Sequence, residues 1–546
     1  MLRYCEQSLL RTALLSAMIV APLFSQRADT AEFRRHMSVL ADDSMEGRGT
    51  GSPGCERAAE YLRHTLRSYG IQPPAAHPDY SQTFPLHGSR PIEGTEFKLY
   101  APKDSYSLRL QEDYVLYSAG EQTFIPSPVK LIFVGYGIVA PEYDYNDYQN
   151  IDVTNAIVIF LSGEPTSQDA AYFDGEQSTV HSSFVMKQKT ALARGARGSI
   201  LIPAPGDRTF DDWYEQQRHF LFEEVRPLLS PSENFNVLLN PKLVPFLFTD
   251  SPYSYDDITQ FEREYTMKSF PLTLRASFQG KFLEREFLAS NIIGMIEGSD
   301  PDLKDSYLLL SAHYDHLGIG AAVDEDSIYN GAFDNASGTA ALLEMARLMI
   351  RNEHRPKRTV VFLFVTGEER GFIGSQYYCL NPVFPLHKTI ANINIDGLSL
   401  FEPVRSFIGV GAELSSLGIS LDEVLERRGL RSDAIPDGHF RPDQFRNSDQ
   451  YMFAQAGVPS ILIAEGLHYE STSFNDGLRR YTAWTEERYH TPFDDLRQKF
   501  DLRAAEQHIS VIMDLAVHLA DTSTLPEWGD PSPFLLARRR SILEGR

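Results

Sequence analysis

Three cysteines in 546 residues are too few for a disulfide scaffold, and none has the spacing of a sulfur-based zinc site. Cys5 lies in the leader-like start of the chain, and pairing of Cys55 with Cys379 is left open by the sequence. Basic residues are also in short supply. Lys and Arg number 51 against 74 Asp and Glu, a net charge of −23. A nucleic-acid partner needs a basic face, so none is expected. Beyond the N-terminus no run reaches the ~18 apolar residues of a membrane helix, so no transmembrane segment is expected. No internal repeat is present. The glycine-rich stretch Gly47-Arg-Gly-Thr-Gly-Ser-Pro-Gly54 has the spacing of neither a P-loop nor a dinucleotide fingerprint and reads as a connector.

What is there is an ordinary globular composition, 42% hydrophobic and 23% charged, in a chain too long for one domain. The first 25 residues have the pattern of a secretory signal. Arg3 and Arg11 are positive, Thr12 to Phe24 is an apolar core too short to span a membrane, and Ser25 is a small residue before a polar start at Gln26. No cysteine follows the apolar core, so a lipoprotein cleavage site is not expected. The mature protein is expected to be exported, periplasmic or secreted.

Residues 30–72 read as amphipathic helix interrupted by the glycine-rich loop. From about 128 the texture changes to short strands at Val129–Ile138, Ala156–Leu161 and Ser199–Pro203, with a helix over about Phe184 to Arg194. Residues 205–270 are rich in aromatic, proline and acidic residues and resist assignment. After about 285 the pattern becomes regular. Tyr307–Ala312, Thr359–Thr366, Ile390–Ile395 and Pro459–Ala464 read as strands. Ser337 to Ile350 reads as a helix with an apolar stripe through Ala340, Leu343, Ala346 and Ile350. Strands alternating with helices predict a largely parallel sheet.

The chemistry sits where these strands stop. His313 and Asp315 follow the first. Asp334 lies in Asn330-Gly-Ala-Phe-Asp-Asn-Ala-Ser-Gly338 directly before the helix. Glu368 and Glu369 follow the strand from Thr359, Asp396 closes Ala391-Asn-Ile-Asn-Ile-Asp396, and His490 lies in Arg488-Tyr-His-Thr-Pro-Phe-Asp-Asp495. Singly, each has a bland reading as helix cap, exposed turn histidine or solvated acid. Jointly they place acids and histidines beyond the carboxyl edge of one sheet, where sites of open α/β sheets lie. Adjacent acids such as Glu368 and Glu369 repel unless a cation holds them, and nitrogen and oxygen donors without sulfur suit zinc, and less specifically manganese or cobalt.

The strings Ala312-His-Tyr-Asp-His-Leu-Gly318, Asn330 to Gly338, Thr366-Gly-Glu-Glu-Arg-Gly-Phe-Ile-Gly-Ser375, Asn394-Ile-Asp-Gly397 and Tyr489-His-Thr-Pro-Phe-Asp-Asp495 together resemble the di-zinc aminopeptidase family that includes bacterial leucyl aminopeptidases and yeast aminopeptidase Y. Glutamate carboxypeptidase and the transferrin receptor are more distant relatives of it. The resemblance covers about 30–125 and 280–522. It implies an α/β zinc exopeptidase fold with a mostly parallel mixed central sheet flanked by helices. Gly135-Tyr-Gly-Ile138, Tyr148 to Asp152, and Lys187 through Ala196 make the middle module similar to a protease-associated domain, a smaller, β-rich α/β unit inserted into such enzymes. The expected division is signal peptide 1–25, peptidase domain 26–125, inserted domain 126–275, catalytic part of the peptidase domain 276–522, and a peripheral tail 523–546.

Carried over by residue, the resemblance implies two zinc ions per chain. His313 and Asp396 would bind one, Glu369 and His490 the other, and Asp334 would bridge them across a cis Asp334–Asn335 peptide. Asp315 would orient His313. Glu368 would be the general base and Tyr489 an oxyanion donor. The sequence departs from the family at Asn155-Ala156, where Gly-Lys is usual, and at Gln450, where a histidine is usual near the site. The activity implied is hydrolysis of N-terminal residues from peptide substrates. The alternatives are a carboxypeptidase of the same superfamily, a glutaminyl-cyclase-like acyltransferase with one zinc, and a receptor-like protein with a dead site.

Overall fold

The computed structural model describes residues 27–118, 123–167, 169, 171–173, 175, 179–228, 235–435, 444–530 and 532–545. The leader-like segment 1–25 lies outside them. Two sheets organise the described chain. The first has nine strands, in the spatial order 224–227, 81–91, 282–296, 359–365, 307–313, 389–394, 460–465, 406–410 and 431–432. Its middle four strands, Thr359–Val365, Tyr307–His313, Thr389–Asn394 and Ser460–Glu465, run parallel, and the strands outside them join largely antiparallel. The result is a mixed α/β sheet flanked by helices, with the parallel part in the centre.

The central strands are short apolar runs because both faces are covered. Residues of Thr359–Val365 alternate between two cores. Val360, Phe362 and Phe364 pack on one face, below the helices Thr30–Leu40, Pro53–Tyr69, Gly338–Arg351, Leu417–Arg427 and Leu502–Asp521. Val361, Leu363 and Val365 pack on the other, with Tyr378 and Phe453 from the helices Ile373–Leu380 and Gln450–Gln455. Cys55 belongs to the first face and Cys379 to the second, which is why both are free thiols. In register, His313 stands opposite Val365 and Ser311 opposite Asn394. Parallel pairing thus brings the carboxyl ends to one edge.

The second sheet has eight strands, in the order 105–108, 96–100, 269–279, 124–134, 157–161, 198–202, 235–239 and 114–118. It begins at Glu96, well before the change of texture near 128. Its early strands Glu96–Tyr100, Ser105–Leu108 and Tyr114–Ser118 are short edge-type segments with weak alternation. The helix Phe184–Ala193 lies where the sequence indicates. Asn155 takes a left-handed backbone, φ 58, which asparagine tolerates better than a branched residue. Residues 205–270, unreadable from pattern, contain the strand Glu224–Pro227, which leaves this module and adds to the edge of the nine-stranded sheet beside Ser81–Pro91.

Two further expectations change. The segment after 523 is docked rather than peripheral. Trp528 and Phe534 are buried with Phe445 and Leu462, and the Trp528 indole N–H donates to Gly457 O at 3.0 Å. The glycine-rich loop is more than a connector. Arg48 is wholly buried and donates four hydrogen bonds, from Nε to Tyr314 O, from Nη1 to Leu40 O and Asn330 O, and from Nη2 to Gly331 O, at 2.6–2.9 Å. One guanidinium thus satisfies carbonyls of both loops that carry the strand-end residues. No described helix is long and apolar enough to cross a membrane.

His508, on the helix Leu502–Asp521, is fully enclosed. Its Nδ1 accepts from Ser399 N–H at 2.9 Å and its Nε2–H donates to Ile463 O at 3.1 Å. Burial pushes its pKa down to about 3, so the folded chain keeps the ring neutral. The unfolded chain takes up the proton below ~6.5, so stability is full above that value and falls as pH drops toward 3. By pH 5 the loss from this ring is ~2 kcal/mol. Urea unfolding at pH 7 and pH 5 checks it: His508→Gln is less stable at pH 7 but loses ~2 kcal/mol less on acidification.

Candidate functional site

Each expected site residue lies at the carboxyl edge of the nine-stranded sheet or in a loop folded over it. His313 ends its strand and is buried. Its Nδ1–H donates to the main-chain carbonyl of Asp315 at 3.2 Å, which turns Nε2 toward Asp396 Oδ1 at 3.2 Å and Asp334 Oδ1 at 3.3 Å. Asp315 therefore orients the ring chiefly through its carbonyl, the carboxylate standing 3.9 Å away. That carboxylate instead accepts from Thr50 Oγ1 at 2.8 Å and from the Glu368 N–H at 3.3 Å, tying the glycine-rich loop to the acidic pair.

Asp334 sits in a distorted turn, Ala332–Ser337, before the helix Gly338–Arg351, and the Asp334–Asn335 peptide is cis. Asn335 secures this turn to the neighbouring strand end. Its Nδ2 donates to Ile395 O at 2.8 Å, and its Oδ1 accepts the N–H groups of Gly338 and Gly397 at 3.0 Å. Asp494 holds the other side, accepting the N–H groups of Phe333 and Asp334 at 2.9–3.1 Å. Gly331 opens the turn at φ +57, and a Cβ there would come within 2.1 Å of Asp334 O. This sharp loop leaves the two Asp334 oxygens facing different partners: Oδ1 faces His313, and Oδ2 faces His490 Nε2 at 3.2 Å.

Glu369 Oε2 stands 3.4 Å from the same His490 nitrogen. His490, at φ 56, stacks on Tyr489 with ring centroids 3.9 Å apart. Tyr489 is 43% exposed, and its ring also meets Trp484 at 6.3 Å. Two sets of donor atoms lie within 4.8 Å of one another: His313, Asp334 and Asp396, and His316, Asp334 and Glu369.

His316 is the residue that sequence reading passed over. It is buried, its Nδ1–H donates to Glu369 Oε1 at 2.7 Å, and its Nε2 has no partner among the described residues. The signal was available in His313-Tyr-Asp-His316, two histidines three residues apart past a strand end. Gln450 is not at the mouth. It is fully buried, accepts from Asn394 Nδ2 and donates to Phe445 O, both at 2.9 Å, so its substitution for histidine alters internal packing.

Electrostatically the site is an acid cluster short of cations. Burial pushes the Glu368 carboxyl well above its ordinary range, and the neighbouring Glu369, Asp396 and Asp449 push it further, against the pull of His313. Burial also acts on Asp334, but bonding to His313 and His490 holds it well below the usual carboxylate range. Glu369 is likewise lowered despite burial, by the charges of His490 and His316. The histidines respond in kind. Burial opposes the charged form of His490, yet Glu369 and Asp334 raise it to about 9. The two adjacent acids are thus shifted in opposite directions, Glu368 up and Glu369 down.

Residues 291–516 match the family model for peptidase family M28. In maize, a protein named probable glutamate carboxypeptidase VP8 is 26% identical over 216 residues, 37% of this chain and 28% of its own length. In Saccharomyces cerevisiae, vacuolar membrane proteases are 35% identical over 111 residues, 20% of this chain and 10% of theirs. The chain thus spans less than a third of the length of either relative. Among solved structures, an aminopeptidase from Aneurinibacillus sp. strain AM-1 has the same fold, with a TM-score of 0.56, 18% identity, and coverage of 93% of this chain and 96% of that one. The matched residues 291–516 hold every candidate catalytic and metal-binding side chain described above, so the part of the chain that is similar to peptidase family M28 is the part that carries the site.

Proposed function

We propose that the protein is a zinc-dependent exopeptidase, an aminopeptidase that removes N-terminal residues from peptides, with two zinc ions per chain. The observation that carries this reading is the bridging posture of Asp334, one oxygen toward His313 and the other toward His490, between two donor groups. The donors are imidazole nitrogens and carboxylate oxygens with no sulfur, which fits zinc. His313, Asp334 and Asp396 would hold one ion, and Asp334, Glu369 and His490 the other, with His316 steadying Glu369. Zinc held there supplies a Lewis acid and lowers the pKa of water toward neutrality.

The chain's own residues do the rest. Glu368, which is in neither donor group, would act in its ionised form, taking a proton from the attacking water; its raised proton affinity suits it to hold that proton and pass it to the leaving amine, which restores the carboxylate. The Tyr489 hydroxyl supports the developing oxyanion. The full complement of acids and histidines weighs against a dead receptor-like site. We read the eight-stranded sheet as the inserted protease-associated-like domain, so that this unit spans Glu96 to Gln279, and residues 1–25 as the signal for export. A second reading, a carboxypeptidase, is favoured by the name of the maize relative.

With zinc present, the protein is expected to hydrolyse aminoacyl-p-nitroanilides and to lose that activity to a chelator. Glu368→Gln should retain both metal equivalents by elemental analysis while kcat falls ~10²–10⁴-fold. Full activity in that variant would remove Glu368 from the base role. Cleavage confined to N-blocked peptides with a free C-terminus would transfer the assignment to the carboxypeptidase.

His316→Gln removes the Nδ1–H that holds Glu369. A chelator-competition titration should show one of the two metals bound ~10–100-fold more weakly, the other unchanged. Unchanged affinity at both sites would show that Glu369 needs no such support.

A further inference from the structure

The helix Leu535–Glu544 carries its most apolar side chains on the outside. Successive residues turn by about 100° around a helix, so Phe534, Arg538 and Ser541 share one face. That face is docked. Phe534 packs with Trp528 and Phe445, Arg538 Nη1 donates to Leu386 O at 3.0 Å, and Ser541 is buried. The helix backbone passes so close to Gly457 that a Cβ there would come within 2.4 Å of Arg538 N.

The opposite face holds Leu536, Arg539, Arg540 and Leu543, at the helical spacing i, i+3, i+4, i+7, and all four are exposed. Leu543 is 87% exposed, the most of any large apolar side chain among the described residues, and Leu536 is 74% exposed. Ile542 flanks them, 54% exposed. Single exposed leucines are ordinary on a protein surface. Two leucines framing two arginines at the centre of one outward face, while an arginine and a serine lie on the docked face, reverse the arrangement that solvent alone favours.

We propose that this face binds the surface of an anionic lipid bilayer. Helices that lie in a bilayer interface combine leucine with Lys or Arg in this way: the apolar side chains enter the headgroup boundary, and the arginine stems lie along it with their guanidinium groups on phosphate oxygens. Charge selects the occupant. In a chain of net charge −23 this face presents two guanidinium groups, of which Arg540 also pairs with Glu544 at 2.8 Å. The exposed Lys388 lies two residues from Leu386, whose carbonyl holds the helix. A second copy of the chain fits less well, because a two-fold contact through this face would set Arg539 and Arg540 against their own counterparts. The acidic remainder of the molecule is repelled by the same headgroups, so contact is confined to this face and orients the protein on the bilayer. The proposal is independent of the peptidase reading.

The test is co-sedimentation with vesicles of phosphatidylcholine containing phosphatidylglycerol, and with vesicles of phosphatidylcholine alone. It uses the chain from Gln26, because the apolar stretch Thr12–Phe24 would bind lipid by itself, with the complete chain as the reference for folding by its urea midpoint. The expected result is binding to the anionic vesicles and ~10-fold or more weaker binding to the neutral ones. Leu536→Ser with Leu543→Ser, and Arg539→Gln with Arg540→Gln, should each weaken binding to the anionic vesicles ~10-fold or more while leaving the urea midpoint in place, since all four side chains are exposed. No binding of the wild type to anionic vesicles, or unchanged binding in both double variants, overturns the proposal. A dimer in light scattering that the leucine variant dissociates overturns it in favour of a second copy.

Discussion

Carboxylates brought together out of water repel one another, and the functional edge of this protein is built around that repulsion. Asp315, Asp334, Glu368, Glu369, Asp396, Asp449 and Asp494 converge on a region where fewer basic groups, His313, His316, His490 and the buried Arg48 and Arg370, lie near them. Burial raises the cost of each negative charge, so the acids cannot all ionise without compensation. The molecule's answer is division. Asp334 and Glu369 face imidazoles and are drawn toward the ionised form, whereas Glu368 and Asp449 are pushed toward the protonated one. Asp449, fully buried and accepting from Ser375 Oγ, is pushed up to about 7 by burial and by Asp315 and Asp396, with His313 pulling the other way. Divalent cations would relieve the same stress more completely, since an ion's charge is the largest local field in such a site.

Holding repelling groups in place requires a stiff frame. Three side chains provide it without touching the reacting positions. Arg48 binds carbonyls of the loops after the His313 strand and before Asp334, Asn335 binds main-chain groups beside Asp396, and Asp494 binds the N–H groups of Phe333 and Asp334. Each is a side chain bound to main chain, so each fixes a loop rather than a rotamer. A loop buried at a sheet edge carries polar groups that must be satisfied, and these residues satisfy them.

Much of this was readable along the chain. The four parallel strands are short apolar runs because both their faces are covered, and their ends were marked by acids and histidines that no buried strand would carry. The helix Gly338–Arg351 followed from its stripe. The outer strands Ser81–Pro91 and Phe282–Ile296 were less legible, since an antiparallel strand near a sheet edge is only partly buried and its alternation is diluted by proline, glycine and charge. The strand Glu224–Pro227 and the start of the second sheet at Glu96 depend on pairing between distant segments. Tail packing escaped notice because Trp528 and Phe534 are isolated aromatic residues in a polar, proline-rich stretch, and nothing local says what they cover.

The sequence alone determined which residue types stand at strand ends, and therefore that acids and imidazoles meet at one edge, because parallel pairing of buried strands leaves no other place for them. Tertiary structure decided how they share the work. Whether Asp315 reaches His313 by carbonyl or carboxylate, whether Gln450 faces substrate or core, and which histidine braces Glu369 are questions of ångströms between segments far apart in the chain. Arg48 shows the difference most plainly. In the sequence it is one cation in a glycine-rich loop, indistinguishable from a solvated one; only the approach of Leu40, Tyr314, Asn330 and Gly331 makes it a buried donor. Hydrophobic periodicity is local and survives in one dimension, whereas hydrogen-bond partnership depends on three-dimensional closure.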